Sequence, residues 1–327
     1  MQGKQLQDLL FARILKKYNH NDKTFTKDIS KILHLTSNVV YDRINGKKLL
    51  NIEEIFLLSK HYNIGLDDLV SSNVVSFEVP VLKEQPATFD EYMNTILKDL
   101  RKLATLKSCE IIYVASETPF FYYLADPLLA LFKMYIWGRT IWQIPSLENQ
   151  KFNVDELSNE NTIALIDELL ELYVRFPTAE IWNVNILDTT INQISHCLYC
   201  GFFENPEDAL LLINAMSEMV DRMEKIVKKG RKSTTGTSKI YYNELVQNPT
   251  LILVNSPVVK SVYLVYDSPN LMINHSEDLF NHTYNYYEKA AQASLHLSEE
   301  RHRARFFKTI RAKLSLAKEA FLVATTL

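Results

Sequence analysis

Glycine is scarce in this chain: seven residues in 327, against a usual share of ~7%. That leaves little material for Gly-rich phosphate loops, collagen-like repeats or low-complexity linkers. Cysteine is rarer still. Cys109, Cys197 and Cys200 cannot all pair with one another, and a disulfide framework needs an even, denser set. No uninterrupted apolar run reaches membrane length. The most apolar stretch, Pro119 to Trp142, is interrupted by Asp126, Lys133 and Arg139 and broken by Pro127. A charge near a bilayer centre costs at least ~2.5 kcal/mol, so the stretch reads as a buried core helix, and no membrane partner is expected. The opening MQGKQLQDLL has no apolar h-region, so the expected location is cytoplasmic. Charge of one sign is lacking too: 36 Lys and Arg face 39 Asp and Glu.

What is present is globular. The hydrophobic share of 47% and the charged share of 23% are ordinary for a folded protein. At ~150 residues per domain the length predicts about two domains. Residues 1–70 hold 11 basic and 8 acidic side chains, while the remainder holds 25 and 31. A mildly basic N-terminal module on an acidic body is the resulting picture.

Residues 1–70 read as five short helices. Leu6, Leu10 and Ile14 mark the apolar face of the first. Thr26 is an expected N-cap for the second, with Ile29, Ile32 and Leu33 inward. After a turn at Leu35-Thr36, a third carries Val40 and Ile44. Asn45-Gly46 stops it, since both residues tolerate the left-handed conformation. Asn51 caps a fourth with Ile52, Ile55 and Phe56 inward, and a short fifth ends near Leu69. Residues 71–88 lack helical periodicity and contain Pro80 and Pro86, which predicts a linker, with a short strand at Val74–Val79. Beyond it, helices are expected near 89–107, 126–139, 155–174, 178–199, 206–229, 277–294 and 299–317. Strands are expected near 110–115, 239–244, 250–254 and 258–266, the last two joined by a turn at Asn255-Ser256-Pro257. Lys228–Ser238 reads as a mobile basic loop. The fold class is therefore mostly α: a five-helix N-terminal domain (1–70), a linker (71–88), and a predominantly helical α+β domain with a small antiparallel sheet (89–327).

The third helix carries the functional signal. At about 100° per residue, Asn38, Asn45 and Asp42 lie opposite Val40 and Ile44, with Tyr41 beside them. Ser37 stands at the helix start, where a hydroxyl and free amides suit a phosphate. Lys47 and Lys48 follow the helix, placed for a sugar-phosphate backbone. A helix that is apolar inside, rich in amides and hydroxyls outside, and basic at its exit suits the DNA major groove. Arg43 lies on the flank, where a bridge to Glu53 or Glu54 is favoured over a phosphate contact. The competing reading is a helical module that binds another protein.

Thr26–Val70, with TKDISKILHLTSNVVYDRINGKK and LLNIEEIFLLSKHYNIGLDDLV, resembles the helix-turn-helix of the phage-repressor and Cro class, the Xre family of bacterial regulators. Ile29, Leu35, Val40, Leu66, Asn45-Gly46 and Gly65-Leu66-Asp67 fall at that family's spacing. Ser30 matches its small residue, and His34 stands where a glycine is usual. Tyr41-x-Arg43-Ile44-x-Gly46, Leu50 and Glu53-Glu54 resemble a narrower group with a long C-terminal region, as do FYYLADPLLALFKMYIW, FPTAEIWN, KIYYNE and SEERHRARFFKTIRAKL. The resemblance implies a transcriptional regulator that reads double-stranded DNA through residues 37–45. The DNA-binding set is Lys27, Ser37, Asn38, Tyr41, Asp42, Asn45, Lys47 and Lys48. The larger domain is expected to form a homodimer, to sense a small-molecule effector, or both.

Other constellations are weaker. His196-Cys197-x-x-Cys200 lacks the second ligand pair that zinc needs, which leaves buried structural cysteines. Ser116-Glu117 and His275-Ser276-Glu277-Asp278 match no hydrolytic motif, and Ser276 reads as an N-cap. Ser298 starts a last helix that is basic outside, with Phe306, Phe307 and Ile310 inward. The aromatic residues Phe120, Phe121, Tyr122, Tyr123, Phe132, Tyr135, Trp137 and Trp142 suit a core more than a pocket. No enzyme activity, cofactor or metal is expected.

Overall fold

The computed structural model describes residues 3–18, 22–62, 64–66, 69, 75–80, 86–245 and 249–325. Contacts divide the chain into two units, Met1–Phe77 and Glu78–Leu327.

The first unit contains α1 (Gly3–Tyr18), α2 (Asp22–Leu33), α3 (Ser37–Ile44) and α4 (Ile52–Tyr62). Its core joins Leu10 and Ile14 of α1, Phe25 and Ile29 of α2, Val40 of α3 and Leu58 of α4. Thr26 lies inside α2 and does not cap it, because Phe25 is buried edge-on against Phe11 and draws the helix start backward. On α4, Ile52 (88% exposed) and Phe56 (57% exposed) face outward, against expectation. The buried stripe there is Glu54, Leu58 and Tyr62, and an inward Glu54 turns Ile52, two residues away, to the other side. The expected fifth helix falls largely outside the described residues, as do 71–74 and 81–85 of the expected linker.

The second unit is built on a seven-stranded mixed sheet, larger than the small antiparallel one expected. Its strands are β1 (Glu110–Val114), β2 (Thr178–Trp182), β3 (Ser238–Tyr242), β4 (Leu251–Asn255), β5 (Lys260–Asp267), β6 (Asn270–Asn274) and β7 (Leu295–His296). The order is β6-β5-β4-β1-β2-β3-β7. β1, β2 and β3 run parallel, and every other pairing is antiparallel. Its helices are α5 (Phe89–Ala104), α6 (Phe120–Tyr123), α7 (Pro127–Thr140), α8 (Val154–Leu157), α9 (Glu160–Tyr173), α10 (Asp188–Tyr199), α11 (Asp208–Lys229), α12 (Glu277–Gln292) and α13 (Glu300–Thr325). Most of them pack on one face of the sheet, where Ile111 and Tyr113 of β1 join the main core. Ile112 and Val114 point the other way, toward Phe280 and Tyr287 of α12. A strand covered on both faces is apolar along its whole length.

The interior strand β2 occupies the start of the helix expected over 178–199. TAEIW is buried at all five positions, and pairing with both β1 and β3 overrides a helical spacing of apolar residues. The helix expected over 155–174 is two, because Asn159 recaps the chain by accepting from Thr162 N at 2.9 Å. β6 was not foreseen. α7 is the expected buried helix, with every residue from Leu129 to Gly138 buried. Among the described residues, no helix is long and apolar enough to cross a membrane. Glu78, inside the expected linker, pairs with Ile273 through two backbone hydrogen bonds of 2.8 Å.

The basic loop 228–238 is tied down, contrary to expectation. Gly230 ends α11 at φ +63°. Ser233 Oγ donates to Val174 O at 2.8 Å, and Lys232 Nζ donates to Thr178 Oγ1 at 3.0 Å while lying 4.2 Å from the Tyr173 ring centre. Glu180, fully buried on β2, has a carboxylate that accepts from Tyr122 Oη at 3.0 Å and Trp182 Nε1 at 2.9 Å. Burial pushes Glu180 up and Lys232 down to about 8, and each charge opposes the other's shift. Lys232→Met removes a positive charge that favours the ionised form of Glu180, so the variant should be less stable than the unaltered protein at pH 8. A raised carboxyl pKa favours folding at low pH, so the deficit should be smaller at pH 5.5 than at pH 8. Urea unfolding of both proteins at the two pH values checks this; a deficit that widens on acidification contradicts the pairing.

Candidate nucleic-acid interface

The turn between α2 and α3 closes without glycine. His34 adopts φ +54°, and Leu35 N donates back to Ser30 O at 3.1 Å, the bond that ends a helix after a left-handed residue. Thr36 is extended ahead of α3 and its side chain makes no capping bond. At the other end Gly46 alone is left-handed, at φ +66°, while Asn45 stays at φ −84°.

Three buried polar side chains fix how α3 is presented. Arg43, 6% exposed, reaches Glu54 at 2.7 Å, the bridge favoured from the sequence. Glu54 also accepts from Asn51 N, and Asn51 Oδ1 accepts from Glu54 N, both at 2.8 Å. This reciprocal capping box starts α4. Gln7 of α1, 2% exposed, donates to Arg43 O at 2.5 Å and Lys48 O at 3.1 Å, and accepts from Leu50 N at 2.6 Å. A single amide thus holds the last turn of α3 and the loop that follows it. Sequence reasoning missed Gln7. The signal was its place four residues before Phe11 and seven before Ile14, inside the apolar stripe of α1.

Of the expected set, Ser37, Asn38, Tyr41, Asn45, Lys47 and Lys48 are exposed on α3 and its exit, and Lys27 is exposed on α2. Asp42 is half-buried, with Lys47 Nζ 3.7 Å from its carboxylate, so a neighbouring cation offsets its repulsion for phosphate. Asn45 Nδ2 donates to Tyr41 O at 2.8 Å. One of its two amide N–H groups is used inside the helix, which leaves the other and the oxygen for an outside partner.

The remaining constellations do not converge. Cys197 is buried, with its thiol pushed up to about 12 by burial, whereas Cys200 is exposed, so only one of that pair is structural. No group of His, Cys, Asp and Glu with metal-binding geometry occurs among the described residues. Ser276 caps α12, as expected. Phe306, Phe307 and Ile310 of α13 face the core, while Arg311 on the outside pairs with Asp221 and Glu224. Protein-family models, curated proteins and solved structures were compared with this chain, and none matches.

Replacing Gln7 with leucine keeps the volume and strands the Lys48 carbonyl and the Leu50 amide, while Arg43 O keeps the Gly46 N–H at 3.0 Å. Each buried group left unsatisfied costs ~1–3 kcal/mol, so Gln7→Leu should lower the first unit's stability by about 2–4 kcal/mol. Denaturant unfolding followed on that unit measures it, and a loss within error of zero means water replaces the clamp.

Proposed function

We propose that the chain is a sequence-specific DNA-binding transcriptional regulator in which α3 enters the major groove. The observation that carries this reading is the division of α3. Val40 and Arg43 are locked inside, while Ser37, Asn38 and Tyr41 stand exposed beside Lys47 and Lys48. Amide and hydroxyl groups on a helix held rigidly from behind are what base-edge reading requires, and the lysines at the exit suit phosphates. The resemblance of residues 26–70 to the Xre class supports the same reading, with the protein acting in the cytoplasm. One eight-residue helix contacts few base pairs, so a homodimer placing two such helices about 34 Å apart is part of the proposal.

A second reading has its own observation. Ile52 and Phe56, four residues apart on α4, are both exposed, and apolar side chains at that spacing suit contact with another protein. Ionic strength separates the two. Binding to DNA should weaken steeply with salt through counterion release, whereas an apolar helix contact should not.

Asn38→Ala or Tyr41→Ala should lower operator affinity by ~1–3 kcal/mol while leaving non-specific binding and folding intact. Lys47→Ala with Lys48→Ala should weaken binding to every sequence and flatten the salt slope. Electrophoretic or anisotropy titrations on selected operator and scrambled DNA read both effects. Undiminished operator affinity in both α3 variants would remove this helix from base contact.

A further inference from the structure

The second unit holds a partly open cavity of about 590 Å³ between α5, α6, α7 and the antiparallel half of the sheet. That lies within the ~300–1,000 Å³ range of small-molecule sites, in interiors that otherwise hold few voids larger than a water molecule. Five of the eight clustered aromatics expected mainly as core line it, while Phe132 and Tyr135 pack against Phe152.

Four rings form one continuous wall. Tyr92 lies 4.7 Å from Trp142, Phe120 lies 5.0 Å from Trp137, and the two tryptophans are 6.3 Å apart. Hydrogen bonds hold the opposite side in place. Trp142 Nε1 donates to Asn270 Oδ1 at 3.3 Å, and Ser268 Oγ donates to Glu117 Oε1 at 2.7 Å.

Charge decides what fits. Lys133 of α7 is the one basic side chain among the described lining residues, and it is 1% exposed. Its ammonium donates to Gln193 Oε1 at 2.9 Å, lies 3.9 Å from Glu117 Oε2, and sits over the Tyr123 and Trp137 rings. Burial pushes its pKa down and Glu117 resists that shift. Its charge is therefore already answered from within. Glu117, Glu91 and Asp99 also line the space, so among the described lining residues an entering anion meets three carboxylates and no cation other than Lys133.

We propose that this cavity is a binding site for a flat, largely apolar organic molecule that is neutral or carries one positive charge, and that it discriminates against anions. The ring stacks against the wall of Tyr92, Phe120 and the two tryptophans, whose π faces attract a cation. A hydroxyl or ammonium on the ligand donates to the accessible carboxylate of Glu117. The site stands on the geometry of the second unit and does not depend on DNA binding by the first.

Three probes of one shape test it by calorimetry on the full chain: 2-naphthol, 2-naphthylmethylamine and 2-naphthoate. The alcohol and the amine should bind saturably, with the carboxylate at least ten-fold weaker. Val265→Trp, which fills the cavity from β5, should abolish binding of both. Phe120→Ala, which removes part of the aromatic wall, should weaken it at least five-fold. Circular dichroism confirms folding, and Phe120→Ala decides alone if the larger substitution does not fold. Naphthoate binding as tightly as the alcohol overturns the proposal, as does the absence of binding by all three up to their solubility. Affinity unchanged in a folded Phe120→Ala protein overturns it too. Each result is read without DNA, so it stands apart from failure of the DNA-binding proposal.

Discussion

A polar group taken out of water must find a partner or cost the fold several kcal/mol, and that constraint organises both units. In the first, Arg43, Glu54 and Gln7 are buried together and tie three helices through side chains. In the second, Glu180 is buried on the interior strand β2, where its carboxylate accepts from Tyr122 and Trp182. Such pairings are weak sources of net stability, since hydrophobic replacements of similar volume often do as well. Their effect is geometric: a bond of defined length between defined atoms admits fewer alternative packings than an apolar contact.

That geometry matters most at α3. A helix of eight residues has little stability of its own, because nucleation is unfavourable and few bonds follow it. Only Val40 and Arg43 of α3 are fully buried, so apolar burial alone leaves rotation about its axis poorly fixed. The Arg43–Glu54 bridge sets that rotation, and Gln7 holds the exit where Lys48 and Leu50 leave the helix. The exposed side of α3 is then presented in one orientation, a requirement for bidentate hydrogen bonding to any planar partner. The same bridge accounts for the outward turn of Ile52 and Phe56. Drawing Glu54 inward rotates α4 as a whole, so one buried ion pair sets the outer faces of two helices.

Local signals explain what was readable in advance. The α2–turn–α3–α4 run was legible because caps, the Asn45-Gly46 stop and the helical period all act within a few residues. The sheet was not. β2 spaces Thr178, Ile181 and Trp182 like one face of a helix, and only its burial between β1 and β3 makes it a strand. β6 depends on a partner strand and on Glu78, almost two hundred residues earlier. The basic loop 228–238 looked solvated because its composition is polar, yet Ser233 bonds to Val174 O and Lys232 to Thr178. Polar residues inside apolar patterns were the recurrent blind spot. Gln7 in α1 and Lys133 in α7 both interrupt hydrophobic runs, and each is a buried group with a specific partner.

The cavity and the chain's entry into the second unit share one strand. Ile273 of β6 lines the cavity through its side chain, and its backbone binds Glu78 through both its N–H and its carbonyl. The side chain and the ladder bonds of a strand residue point in perpendicular directions, so one residue faces the cavity and holds the entering chain at once. A ligand that merely fills a preformed space leaves that ladder unchanged and shifts nothing, however tightly it binds. Coupling to the first unit would require the ligand to bind two arrangements of β6 with different affinity. The Glu78 hydrogen bonds are then the physical quantity at stake. An occupied cavity that strengthened or released them would change how firmly Glu78 is held against β6.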